Sequence, residues 1–102
     1  MKKAIIYVRE TRGEKLEEQI EACRRYANEQ GFEPHTAVVD FLLPGPAYRL
    51  GLRGALDMVG AGDMEVVVAL DPEQVSKDPT RLRDIEEMLR EKNCELHYAR
   101  GS

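Results

Sequence analysis

Three polar segments each follow a short apolar run: Arg9-Glu10-Thr11-Arg12, the stretch from Asp40 to Arg49, and Asp71 to Lys77. With Arg53 just beyond the second, they carry five cations, Arg9, Arg12, Arg49, Arg53 and Lys77, together with the hydroxyl of Thr11 beside two of them. If the apolar runs are strands of one parallel sheet, these segments gather at the carboxyl ends of the strands, where open sheets bind ligands. Guanidinium and ammonium groups collected on one rim suit an anion such as a phosphate or a nucleic-acid backbone. The plain alternative is that charged residues decorate loops, and spacing alone leaves both readings open.

The elements that must position these groups are legible. Ala4 to Val8, His35 to Phe41, Glu65 to Leu70 and Glu95 to Ala99 are apolar, β-prone runs and predict four strands. Helix is expected from Lys15 to Gln30, where Leu16, Ile20, Cys23 and Ala27 form one apolar stripe and Gly31 follows as a C-terminal stop. A shorter helix is expected over Arg49 to Val59, with Leu52, Leu56 and Val59 on one face and Gly60 to Asp63 ending it. Thr80 to Lys92 is the third, with Leu82, Ile85, Met88 and Leu89 inward. Pro44, Gly45 and Pro46 mark a loop within Leu42 to Ala47, and Asp71 to Pro79 reads as another. The order β-α-β-α-β-α-β predicts an α/β fold: a three-layer domain with a mostly parallel four-stranded sheet and helices on both faces.

With 102 residues, 42% of them hydrophobic and 33% charged, the chain suits one small globular domain. A net charge of −4 argues against a self-sufficient DNA-binding domain, because phosphate neutralisation drives non-specific affinity. The longest apolar runs are too short to span a bilayer, so no membrane partner is expected. Met1-Lys2-Lys3-Ala4 leads straight into the first strand, which predicts no signal peptide and a cytoplasmic protein. Cys23 and Cys94 form no CxxC pair, and Cys23 falls on the apolar helix face as a buried thiol. His35 and His97 lack neighbours at metal-ligand spacing, so no metal and no cofactor is expected. No G-x-x-x-x-G-K or G-x-G-x-x-G follows the first strand, which argues against the common nucleotide sites. A phosphoacceptor receiver domain would want an acidic pair there, and Arg9-Glu10-Thr11 offers none.

The polar segments also resemble, in order, the motifs of the serine recombinase (resolvase/invertase) catalytic domain. Tyr7-Val8-Arg9-Glu10-Thr11 is similar to Tyr-x-Arg-Val-Ser, and Leu16-Glu17-Glu18-Gln19 to the Ser-Leu-x-x-Gln helix start. Val39-Asp40 followed by Gly45 is similar to Asp-x-x-x-Ser-Gly, and Arg49-Leu50-Gly51-Leu52 to Asp-Arg-Pro-Gly-Leu. Val66 to Pro79 is similar to a strand followed by Asp-Arg-Leu-x-Arg-Asp-Pro. The resemblance runs over roughly residues 3 to 98.

It implies DNA strand cleavage and exchange through a hydroxyl that attacks a phosphodiester, with preplaced guanidinium groups holding the transition-state charge. It places Thr11 at the nucleophile position and Arg9, Arg49, Glu73, Gln74 and Lys77 in the catalytic set. With the rim cations, Arg9, Arg12, Gln19, Arg49, Arg53 and Lys77 form the phosphate- or DNA-binding set, and Asp78 closes the third motif. The same comparison implies degeneracy. A threonine stands for the serine and is stiffer at χ1, and the loop from Thr11 to Leu16 is one residue shorter. Glu73 stands for an aspartate, Gln74 for an arginine, Lys77 for a second arginine, Glu10 adds a negative charge, Pro44 stands for a serine and Tyr48 for an acid. The expected partners are DNA, contacted weakly or through a separate module, and a homodimer or recombinase partner subunit. The family's dimer helix and DNA-binding domain are expected to lie outside these residues, leaving a monomer or weak dimer. Three functions remain open here: a degenerate recombinase domain, a pseudo-recombinase assembly module, and a small-ligand or phosphate-binding regulatory domain.

Overall fold

The computed structural model describes residues 1–42 and 49–101. The positions read at Pro44, Gly45 and Tyr48 lie outside them. Strands β1 (Lys3–Arg9), β2 (Glu33–Asp40), β3 (Val66–Ala69) and β4 (Glu95–Tyr98) form one sheet in the order β2-β1-β3-β4, and every pairing is parallel. Helix α1 (Leu16–Glu29) covers one face. Helices α2 (Leu50–Gly60) and α4 (Pro79–Glu91), with the short α3 (Pro72–Val75), cover the other. The α/β three-layer architecture expected from the sequence is the one observed.

β1 is the axis of the domain. Its residues Ala4 to Val8 are buried on both faces, which is why the run is continuously apolar rather than alternating. Ile5 and Tyr7 enter the core shared with α2 and α4, while Ala4, Ile6 and Val8 enter the core beneath α1. β2 is an edge strand, and its register against β1 slips between Ala4 and Ile5, opposite the stretch from Pro34 to Thr36. β4 is the other edge. It is tied to α1 by His97, whose Nδ1 lies 2.7 Å from the Tyr26 hydroxyl and whose Nε2 lies 3.0 Å from Glu95 Oε1. The Phe32 ring meets the imidazole edge-on at 5.0 Å. The Lys2 ammonium bonds the same Glu95 carboxylate and, with His97, holds it below the usual carboxylate range.

Two local features differ from the expectation. The buried stripe of α1 is Gln19, Cys23 and Ala27, with Leu16 and Ile20 half-buried at its margin. Gln19 stands three residues after Leu16 and four before Cys23, so helical geometry puts it on the inward face despite its polarity. The stretch after β3, read as loop, contains α3. Asp71 caps it by accepting from the Gln74 N–H at 3.1 Å, and Pro72 occupies its first position. The same pairing starts α4, where Asp78 accepts from the Thr80 N–H at 3.0 Å and Pro79 opens the helix one residue earlier than expected.

The N-terminus of α2 is held by a carboxylate from another element. Asp40, at the end of β2, accepts from the N–H groups of Gly51 at 2.6 Å and Leu52 at 2.9 Å, and from the Tyr7 hydroxyl at 2.6 Å. Arg49, which precedes α2, provides no side-chain cap, so Asp40 satisfies donors that would otherwise be orphaned. A methyl group at Gly51 would lie 2.8 Å from Asp40 Oδ1 and 3.1 Å from Val38 Cγ1. Gly51→Ala is therefore expected to lower unfolding stability by about 1–3 kcal/mol, measured by urea titration, whereas the solvent-facing Gly54→Ala should not.

Burial pushes the Cys23 thiol up to about 12 and the Cys94 thiol up to about 11, from 9.0. Burial also pushes the Tyr98 hydroxyl up to about 12. Each group is neutral when protonated, and the unfolded chain ionises first. Their contribution to stability is therefore complete below about pH 9 and is lost as pH rises towards 11–12. The urea midpoint should fall between pH 8 and pH 10.5, and Cys23→Ala should reduce that fall. Iodoacetamide should label both thiols at pH 8 only once urea opens the core.

Candidate functional site

The carboxyl ends of the strands form one rim. There Glu10 N–H bonds Asp40 O at 2.8 Å, Ala99 N–H bonds Ala69 O at 2.8 Å, and Arg100 N–H bonds Leu70 O at 2.9 Å. A recess of about 310 Å³ opens on this rim. Arg9, Thr11, Arg12, Glu73, Gln74 and Lys77 line it, so six of the residues singled out from the sequence come together. Arg100 lines it as well, a cation the sequence reading missed. Applying the strand-end rule to β4 as to the other three strands would have found it, because Arg100 stands two residues past Tyr98.

Thr11 is exposed, yet its hydroxyl is engaged on both sides. It donates to the Arg9 carbonyl at 3.2 Å and accepts from Gln74 Nε2 at 3.0 Å. The other end of the Gln74 amide accepts from the Arg9 N–H at 2.6 Å. One buried amide therefore fixes the backbone of Arg9 and the hydroxyl of Thr11 together. The hydroxyl proton points at a peptide carbonyl, which is no general base. Among the described residues, no carboxylate or imidazole bonds this hydroxyl. An arginine at position 74 could not reproduce the arrangement, since a guanidinium has no acceptor to offer the Arg9 N–H.

Arg49 and Arg53 line a second recess, of about 490 Å³, beside α2 and α4 rather than the first. Arg49 donates to the carbonyls of Gln74 and Val75 at the end of α3 and, at 2.6 Å, to the Tyr7 hydroxyl. Its guanidinium lies 5.6 Å from the centre of the Tyr7 ring. Its Nε is buried and has no partner among the described residues. Burial, and then the bond to Asp40, pushes the Tyr7 hydroxyl far above its ordinary value, so tyrosine remains the donor to Asp40. The planar fork of Arg49 is thus spent on helix carbonyls and a phenol.

The electrostatics of the first recess are balanced. Arg9, Arg12, Lys77 and Arg100 face Glu10, Glu14, Asp71 and Glu73, four formal charges of each sign. Several acids have partners. Glu10 accepts from the Leu42 N–H at 2.8 Å, and Asp71 caps α3. Glu14 accepts from Arg100 at 3.0 Å and from Gln19 Nε2 at 2.7 Å. Gln19 is fully buried, and its Oε1 has no partner among the described residues. Among the described residues no group of three or more His, Cys, Asp or Glu side chains could hold a metal ion. Among the described residues no helix is long and apolar enough to cross a membrane.

Comparison with known proteins matches this geometry to one family. The family model for the resolvase N-terminal domain matches residues 4–102. The catalytic domain of ISC1926 TnpA, an IS607-like serine recombinase, superposes with a TM-score of 0.84 at 22% identity, over 98% of this chain and 72% of that one. A resolvase family site-specific recombinase from Streptococcus pneumoniae superposes with a TM-score of 0.86 at 14% identity, over 97% and 72%. The N-terminal catalytic domain of TP901-1 integrase gives 0.77 at 17% identity, over 96% and 77%. No curated protein sequence matches the chain. At such identities the superpositions speak for the fold, and the family model speaks for descent: the chain belongs to the resolvase N-terminal domain family.

Proposed function

We propose that this chain is a degenerate serine-recombinase catalytic domain that contacts DNA phosphate at the rim recess without cutting the strand. The observation that carries the reading is the Thr11–Gln74 pair. The hydroxyl at the nucleophile position gives its proton to a carbonyl and receives an amide N–H where a guanidinium would be needed. Attack on a phosphodiester demands a deprotonated or deprotonating hydroxyl and donors aimed at the developing charge. Each missing donor costs about 2.7–4 kcal/mol, roughly 100–1,000-fold in rate. Gln74 and the committed Arg49 remove two positions of the expected set at once, and Lys77 contributes charge without a planar fork. What remains, Arg9, Arg12 and Lys77 around a mixed recess, serves weak phosphate contact.

A second reading, a protein-assembly module that has left DNA chemistry behind, is favoured by the equal number of acids and bases in the recess. The two differ in what duplex DNA does to the rim. In the DNA-contact reading, titration with a 20-bp duplex at low salt shifts the amide signals of Arg9, Arg12 and Lys77, and log affinity falls with log salt by about 0.9 per phosphate contact. Lys77→Gln should weaken that binding and flatten the slope by about one contact. Rim signals that stay fixed through the titration would leave the assembly reading standing.

Inactivity has its own test. Incubation with supercoiled plasmid, resolved on denaturing gels, should give neither nicked product nor covalent protein–DNA adduct, and Thr11→Ser alone should not change this. An adduct that disappears in Thr11→Ala would overturn the reading.

A further inference from the structure

The Thr11–Glu14 turn brings a carboxylate back onto the rim. Gly13 adopts φ of 84°, a left-handed conformation that favours glycine, and the Glu14 N–H bonds Thr11 O at 3.3 Å. The Glu14 side chain then receives one donor on each oxygen: Gln19 Nε2 on Oε2 at 2.7 Å and Arg100 on Oε1 at 3.0 Å. The two donors come from different elements, one from the buried face of α1 and one from the strand end after β4, and of the two only Arg100 lines the recess. Both are held independently of Glu14. Gln19 is fixed by its burial in the helix, and the Arg100 backbone is fixed by its bond to Leu70 O.

We propose that Gln19 and Arg100 form a phosphate seat that the chain's own Glu14 carboxylate occupies, and that a monoprotonated phosphate takes the seat when Glu14 leaves it. A neutral amide N–H and a guanidinium converging on two oxygens of one anion suit a phosphate as they suit a carboxylate. Gln19 adds a second, independent sign. Its Oε1 is buried and has no donor among the described residues, in the same planar amide whose Nε2 holds Glu14. A carboxylate has no hydrogen to give that acceptor, whereas a monoprotonated phosphate does. Glu14 is exposed, so it can swing out without opening the core, while Gln19 cannot. Arg100 thereby becomes a phosphate-positioning residue, and Glu14 an internal competitor that weakens anion binding. The inference rests on reading the recess as a phosphate-contacting one.

The test follows the Gln19 side-chain amide and the Arg100 guanidinium N–H by NMR while inorganic phosphate is added to the full chain. Glu14→Ala should bind phosphate about tenfold tighter or better than the parent chain, in keeping with the loss of one charge-assisted competitor, and both reporter signals should move. Glu14→Gln, still able to fill the seat but neutral, should fall between the two. Arg100→Gln added to Glu14→Ala should abolish the gain. Both positions are exposed, so the variants should stay folded, while Glu14→Ala, which leaves the buried Gln19 Nε2 without its partner, should melt lower than the parent and recover on adding phosphate. Phosphate binding in Glu14→Ala no tighter than in the parent, or a gain that survives Arg100→Gln, would overturn the proposal. A 20-bp duplex added to the same samples separates the two claims. Rim shifts at Arg9 and Lys77 with no effect of Glu14→Ala on phosphate sink the seat alone. Tighter phosphate in Glu14→Ala with a rim blind to duplex sinks the DNA reading alone.

Discussion

The Asp40 carboxylate is the contact on which the rest of the domain is arranged. It sits at the end of β2, yet it answers the first turn of α2 and the phenol of β1. A buried carboxylate is tolerable only when its oxygens are fully engaged, and here three donors converge on two atoms. Through Tyr7 the contact extends to Arg49, and through Arg49 to the last carbonyls of α3. Three crossovers of a parallel sheet are thus joined by one chain of polar contacts at its carboxyl end. The apolar cores on either face supply most of the stability. This polar chain supplies the registration, because hydrogen bonds of this kind have a required geometry and hydrophobic contact does not.

That registration has a chemical consequence. Two of the groups that the family resemblance assigns to the site are groups the fold uses to hold itself together. Arg49 secures α3, and Gln74 secures the turn after β1. In a working transition-state binding site such donors must be rigid and also unspent. Arg49 and Gln74 are rigidly held, and the bonds they make lie within the fold. The domain has the architecture of its family, with these two side chains engaged by its own backbone.

Much of the fold was readable from the residues alone. The continuous apolar run Ala4 to Val8 could belong only to a strand covered on both faces, and the stripe through Cys23 and Ala27 demanded a helix lying on one of them. The gathering of Arg9, Thr11, Arg12, Gln74 and Lys77 followed from parallel crossovers, which bring strand ends to one side whatever the loops contain. What the residues could not reveal were contacts between distant positions. Nothing in the spacing of Tyr7, Asp40 and Arg49 says that they meet, nor that Arg49 faces a different recess from Arg9. Gln19 was read as a polar helix residue facing the site, and its complete burial depends on how closely α1 lies on the sheet. The short helix α3 had a signal in Asp71-Pro72, but four residues give too little periodicity to see.

The slip in β2 governs how the sheet meets the outside. Glu33 gives its N–H to Lys2 O, one residue before β1, so strand alternation turns Pro34 outward, and the pairing is displaced just beyond it. A proline on the open side presents no donor to an arriving strand, and the displaced residue breaks the flat template such a strand would need. A four-stranded parallel sheet with one blunted margin resists growing by edge addition there. Edge-to-edge growth through β2 is thereby disfavoured, which leaves β4 as the margin open to a further strand.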